Sequence, residues 1–223
     1  MNPSSLSLLT QPLKSTEVST VVEIFTLLTL LSVAPLLLIT LTSFTRIVVV
    51  LSFLRQALGT QQSPSNQIVI ALSLFISFHV MAPVWQKIET DALKPYYNRQ
   101  ITASAALERA WKPLQEFLFK HTRKGDLALF TRNIGDKEVE MTHIPATTLI
   151  PAFVISELKT AFQMAFMIYI PFLILDLVVA SILMSMGMMF LPPVLISLPF
   201  KLVLFVLVDG WNLLVGSLVR SFV

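Results

Sequence analysis

Pro171-Phe-Leu-Ile-Leu-Asp176, Ser185-Met-Gly-Met-Met-Phe-Leu-Pro-Pro193, Pro199-Phe-Lys201 and Asp209-Gly-Trp211 are four pieces of one apolar hairpin. Residues 177–200 carry no charge. A helix needs about 20 such residues to cross the hydrocarbon core of a bilayer. The middle of the run holds Gly187, Pro192 and Pro193, which an ordinary helix does not continue through. The reading is two apolar helical arms joined by a flexible, methionine-rich tip, in a membrane assembly that deforms around something passing through it.

Composition agrees. Of 223 residues, 55% are hydrophobic and 13% charged, and the mean hydropathy is +0.76. Soluble domains carry roughly 25% charge, so the chain reads as an integral membrane protein. It has no cysteine, which removes disulfides, thiolate metal sites and a catalytic cysteine. Its net charge is +3, and the basic residues form no stripe interleaved with aromatics, which argues against nucleic-acid binding.

Outward from the hairpin, the chain divides into four parts. Residues 1–23 are polar and lack the basic and apolar regions of a signal peptide. Residues 24–86 form a first apolar hairpin: a charge-free run at 24–45 holding Pro35, and a second apolar segment at 67–85. Between them lie the short segment 46–55, bounded by Arg46 and Arg55, and a turn at 59–66. The short segment reads as a half-crossing or interfacial helix with snorkelling arginines. Residues 87–150 hold most of the charge and read as a soluble, mostly helical, extracytoplasmic insert. There Ala103, Leu107, Trp111, Leu114 and Leu118 recur at helical spacing, with Pro113 as a kink or division, 123–126 as a turn and 127–131 as a short helix. Residues 151–223 are the second hairpin, with one segment from Pro151 to about Met184 and another over 194–219. Arg46 and Arg55 have no acid between them, which assigns that connection to the cytoplasmic side. The termini and the insert then lie outside, with the methionine-rich loop inside.

Asp176, Lys201 and Asp209 stand in apolar segments. An ionisable group at bilayer depth has a partner or a watery surround. A proton or ion relay is one reading; buried ion pairs that fix helix register are the stronger one, because no serial chain of acids is present. Asp176 and Lys201 are each expected against a protein partner. Glu157 and Lys159 cannot face each other on one helix and are read as pairing with neighbouring chains. His79 reads as a packed imidazole, and His121 and His143 as solvated surface residues. No nucleophile motif, P-loop or metal-ligand spacing is present, so no enzyme, cofactor or metal is expected. Met184, Met186, Met188 and Met189 fall within six residues, and methionine fills irregular gaps without a fixed rotamer. Several copies around an axis would form a soft apolar constriction. A Cu(I) route also uses thioethers, but the other helices lack matching ligands.

Longer motifs then bear a resemblance. Pro151-Ala-Phe-Val-Ile-Ser-Glu-Leu-Lys-Thr-Ala-Phe-Gln-Met164 is similar to one signature of the FliP proteins of flagellar type III secretion, and Pro171-Phe-Leu-Ile-Leu-Asp-Leu-Val-Val-Ala-Ser-Ile-Leu-Met184 resembles a second. Ser43-Phe-Thr-Arg-Ile47, Arg55-Gln-Ala-Leu-Gly59, Pro64-Ser-Asn-Gln67 and the run from Leu198 to Trp211 match as well. The resemblance implies an all-α membrane protein of two kinked hairpins with a small helical insert, assembling into a pentameric ring. It implies a non-enzymatic export-gate subunit of the bacterial inner membrane, in the flagellar basal body. Its partners would be FliR, FliQ, FlhB, membrane lipid and unfolded flagellar substrates. Met186, Met188 and Met189, with Phe190 beside them, would be the channel gasket, and Asp176, Lys201, Asp209, Glu157, Lys159 and Arg46 the buried charges of assembly. Phe190 departs from a methionine found in many members, Ala165 from a common glycine, and the family's frequent cleavable signal peptide is missing. Family members also have bent helices, much of whose ring lies above the bilayer plane. An ion or small-solute channel with a hydrophobic gate is the alternative.

Overall fold

The computed structural model describes residues 15–60, 63–131, 144–188 and 190–222. Among these there are helices and no strand: α1 Ser15–Thr40, α2 Phe44–Ala57, α3 Asn66–Ile88, a π-helical segment Glu89–Leu93, α4 Lys94–Tyr97, α5 Ala103–His121, α6 Lys124–Thr131, α7 Ala146–Ser185, α8 Pro193–Leu207 and α9 Gly210–Arg220. The chain forms two compact units, residues 1–38 and 39–223.

The first unit is the helix α1. None of residues 20–29 or 31–38 is buried. Three of its hydroxyls are satisfied within the helix: Thr26 donates to the carbonyl of Val22, Thr29 to that of Phe25 and Ser32 to that of Thr29. A helix that is apolar on every side and internally satisfied is suited to lipid.

In the second unit, α2 lies at the centre. Ile47, Val50, Leu51, Leu54 and Ala57 are buried, and so is Arg46. This corrects the interfacial reading of 46–55. The helix is short because it ends at Leu58 and Gly59, and its first arginine is neutralised inside the protein. On one side it packs on α7, where Phe53 meets Phe162 edge-on at 5.5 Å. On the other it packs on α3 through small polar residues, with the hydroxyls of Ser43 and Ser77 3.0 Å apart. Small residues allow helix backbones to approach closely.

The apolar segments appear where expected, with different ends. Thr20–Thr40, Asn66–Tyr97 and Ala146–Ser185 are each long and apolar enough to cross a membrane. Helix α3 begins at the Ser65 cap, whose hydroxyl accepts from the Ile68 amide at 3.4 Å. It then runs into the charged region as one helix with the π segment and α4, so residue 87 lies inside it. Helix α7 starts at Ala146, before Pro151, and residue 150 lies in its opening turns. Pro35, Pro113, Pro151 and Pro171 all lie inside uninterrupted helices. The expected division at Pro113 is absent, and Lys124 and Asp126 belong to α6 rather than to a turn. In α5 the buried face is Pro113, Phe117 and Leu118, whereas Leu107 is exposed.

The fourth segment is two helices, α8 and α9, bent by 64°. Pro193 suits the first position of α8, where no amide hydrogen is required. At the bend Asp209 has φ 51°, in the left-handed region. Gly210 follows, pressed against Phe205: a Cβ built there would stand 2.3 Å from the ring. Phe205 in turn meets Trp211 edge-on at 5.4 Å and Phe172 of α7 at 6.4 Å. The bend therefore depends on a missing side chain. Gly210→Ala should lower stability by about 1–3 kcal/mol, the usual range for overpacking. Thermal unfolding in detergent measures this, and an unchanged midpoint would contradict the role given to the bend.

Candidate functional site

Arg46, Glu157, Lys159, Asp176 and Lys201 are assembled into three links, all converging on α7. The first joins α2 to α7 and to the C-terminal residues. Arg46 donates through Nε to Glu157 Oε2 at 2.9 Å and through Nη2 to Glu157 Oε1. Its Nη1 donates to the carbonyl and the hydroxyl of Ser221 at 3.0 and 2.9 Å. The guanidinium lies 3.8 Å from the centre of the Phe222 ring. Arg46 is 3% exposed and Glu157 0%, so the pair is shielded from solvent, and the fork geometry of arginine satisfies both carboxylate oxygens.

The second link joins α7 to α8 and to the end of α2. Lys201 donates to Asp176 Oδ2 at 2.7 Å and to the Ala57 carbonyl at 3.1 Å. The latter contact sets a cation on the last turn of α2, where helix carbonyls are unsatisfied and the dipole is negative. Ser197 donates to Asp176 Oδ1. The third link joins α6 to α7. Lys159 bonds Asp126 Oδ1, Ser156 donates to Asp126 Oδ2 at 2.8 Å, and the Arg123 amide donates to Ser156 Oγ at 3.0 Å. The Lys159 ammonium holds the Asp126 carboxyl below its ordinary range, helped by Ser156 and Arg123 and opposed by burial.

Glu157 and Lys159 thus find partners within the chain, which corrects the expectation of neighbouring chains. Their partners are 111 and 33 residues away, beyond any spacing rule. Asp176 and Lys201 are brought together; Asp209 is in none of the three links. It is exposed, and its carboxylate accepts from Asn212 Nδ2 at 3.1 Å. Sequence reading missed Asp126, Ser156, Ser197, Ser221 and Phe222.

His121 is also corrected. It is half-buried, 4.7 Å from the Phe117 ring and 5.3 Å from that of Phe222. Burial, then the charges of Arg46 and Lys120, push its pKa down from 6.5 to about 4. The sequence reading placed it on the solvated surface of the insert, but the Phe222 ring packs against it. His143 lies outside the described residues.

The methionine-rich tip closes α7. Gly187, at φ 77°, is its left-handed terminator. The Met188 amide donates to the Leu183 carbonyl at 2.9 Å and the Gly187 amide to that of Met184 at 3.0 Å, a Schellman pairing. Met186 is 66% exposed, Met188 40% and Phe190 99%; Met189 lies outside the described residues. A groove of about 580 Å³ between α2 and α7 is lined by Phe53, Gln56, Phe162, Gln163, Phe166 and Tyr169.

A sequence model of the FliP family matches residues 27–218. The chain belongs to the FliP family. It is 57% identical to the flagellar biosynthetic protein FliP of Bacillus subtilis (strain 168) over 206 residues, 92% of this chain and 93% of that protein. It is 53% identical to the FliP of Aquifex aeolicus (strain VF5), covering 90% and 85% of the two chains. It is 52% identical to that of Pectobacterium carotovorum subsp. carotovorum, covering 96% and 84%. As a FliP-family protein with long apolar helices, it is a membrane-embedded component of the flagellar export apparatus.

Two outcomes follow from the links. Arg46→Met should destabilise the protein by about 3–5 kcal/mol, because it strands Glu157 as a buried charge, and the double change Arg46→Met with Glu157→Met should restore much of that loss. Equal unfolding midpoints for the single and double variants would contradict the pairing. His121 binds a proton more weakly folded than unfolded, so its contribution is complete above pH 6.5 and declines as pH falls toward about 4. Asp126, held below its ordinary value, loses its contribution only at lower pH. Unfolding midpoints measured across that window should slope for the native chain and flatten for His121→Phe.

Proposed function

We propose that this FliP-family chain is a pore-forming core subunit of the flagellar export gate, acting without catalysis of its own. Five copies form a ring in the bacterial inner membrane with FliR and FliQ, contacted by FlhB, and unfolded flagellar subunits pass through the centre. Met186, Met188 and Met189, with Phe190, close the channel as an apolar gasket. The tip of α7 carries this reading. Its Schellman cap satisfies the helix end through the backbone, and Met186, Met188 and Phe190 remain exposed. Long thioether side chains repack readily, and a narrow apolar constriction excludes ions by dewetting.

The three links support a passive role. Arg46, Glu157, Lys159, Asp176 and Lys201 are all held in ion pairs, and among the described residues these groups are committed to structural pairs rather than to a proton relay. The exposed apolar faces of α7 and α8, including Phe166, Met167, Ile174, Leu195 and Val206, offer surface to lipid and companion subunits.

Replacing Met186, Met188 and Met189 together by alanine should leave folding and assembly intact, because backbone hydrogen bonds at Gly187 and Met188 hold the helix end. Export should continue while ion conductance rises, most clearly when no substrate fills the channel. Planar-bilayer recording of the purified assembly reads the leak. A triple variant that assembles, exports and conducts no more than the native complex would return the methionines to simple packing. A small-solute channel would instead conduct its solute without any flagellar substrate.

A further inference from the structure

Helix α3 has two faces of different chemistry. Val69, Ser73, Ile76, Ser77, Met81 and Val84 are buried, with Ser77 against Ser43 at the start of α2. On the opposite side Ile68, Ala71, Phe75, Phe78 and His79 are exposed. Their spacing of three and four residues makes one stripe along the helix, the pattern of a helix that lies in a groove. His79, expected as a packed imidazole, instead stands beside Phe75 and Phe78 on this stripe. It makes no side-chain hydrogen bond among the described residues.

A groove of matching character exists on the same chain. The space between α2 and α7 is lined by Phe53, Phe162 and Tyr169 and by the amide of Gln56. A second groove of about 530 Å³ shares Phe53 and Gln56 with it and continues to Gly59 and Val194. The two follow the second half of α2. Neither Gln56 nor Tyr169 makes a side-chain hydrogen bond among the described residues.

Stripe and groove pose the same two demands. Water would leave a wide apolar area uncovered. Lipid tails would leave an imidazole, an amide and a phenol without partners. Each surface supplies what the other lacks: aromatic area on both sides, and an imidazole that can donate to the Gln56 carbonyl or accept from the Tyr169 hydroxyl. The two surfaces lie on different helices, so a contact between copies runs head to tail. Contacts of that kind close into rings when their rotation allows, whereas a two-fold dimer would set stripe on stripe and leave both grooves empty.

We propose that the outer stripe of α3 seats in the α2–α7 groove of a second copy, bringing His79 to Gln56 and Tyr169. The seat rests on the ring proposed above and names the surfaces that join it.

The chain has no cysteine, so introduced thiols react alone. The test co-expresses full chains carrying His79→Cys with differently tagged full chains carrying Gln56→Cys, purifies them in mild detergent and treats them with a short bis-maleimide. The expected result is a covalent dimer bearing both tags, and none from either variant expressed alone. Phe75→Glu leaves the buried face of α3 untouched and should lower the yield of ring about tenfold, read by native mass spectrometry, with unchanged circular dichroism. Full ring yield from Phe75→Glu overturns the seat. A crosslink from His79→Cys alone sets stripe on stripe and also overturns it. A ring that is intact but yields no mixed dimer overturns the seat and leaves the ring standing; a chain that forms no oligomer overturns both. In the complex isolated with its companions, a crosslink from His79→Cys to a companion in place of the mixed dimer gives the stripe to that companion and overturns the second copy as its occupant.

Discussion

Arg46 and Glu157 are a base and an acid with no water between them and bulk solvent beyond reach. Relative to a well-packed apolar pair, such a bridge adds little net stability, because desolvating the two ions offsets their attraction. What it contributes is a single answer to a geometric question. Helix α7 is apolar around most of its circumference over 40 residues, so hydrophobic packing alone leaves its rotation and register against α2 loosely defined. A carboxylate that must meet one guanidinium removes that freedom. The same guanidinium holds Ser221 and lies over Phe222, so the chain's last described residues are placed by the interaction that sets α7. Phe222 then stacks near Phe117 and His121, and α5 inherits its position from the pair.

The other two links extend this logic along α7. Ser156, Glu157 and Lys159 form one anchoring turn, tied to α2 and α6; Asp176 forms another, tied to α8. At 1.5 Å per residue, Glu157 and Asp176 stand about 28 Å apart along the helix, roughly the thickness of a bilayer core. Between them Phe162, Phe166, Met167 and Leu173 are exposed. The helix is thus pinned by charge at two levels and left apolar between them, where lipid or another protein surface can cover it.

The all-helical fold and the apolar segments were legible because period and hydropathy report them directly. So was the break at Gly187 and Pro192-Pro193, where backbone chemistry forbids a continuous helix. The burial of α2 was not legible. Hydropathy cannot distinguish a helix facing lipid from one facing protein, and a pair of arginines at its ends looks like snorkelling until Glu157 is seen beside one of them. The partners of Glu157 and Lys159 lie too far away in sequence for any local rule. His121 was misread for a related reason: a charged insert suggests a solvated imidazole, and the ring of Phe222, about a hundred residues on, helps to cover it. The composition change near residues 87 and 150 falls inside helices, because a helix can leave an apolar environment without ending.

Burial of Arg46 also bears on orientation. The positive-inside rule concerns charges that remain in loops and interact with the membrane's surroundings. Arg46 is neutralised within the protein, so the connection near α2 is left with Arg55, which bonds the Pro64 carbonyl and Asn66. The orientation argument from sequence therefore rests on one arginine. The tip of α7 does not share this dependence. Its helix end is closed by backbone hydrogen bonds and by Gly187, around which a Cβ would meet nothing within 4 Å. The side chains of Met186, Met188 and Phe190 consequently have no task in closing the helix. A fold whose charged residues fix its register, and whose exposed Met186, Met188 and Phe190 side chains close no helix end, leaves those side chains to be set by what they touch.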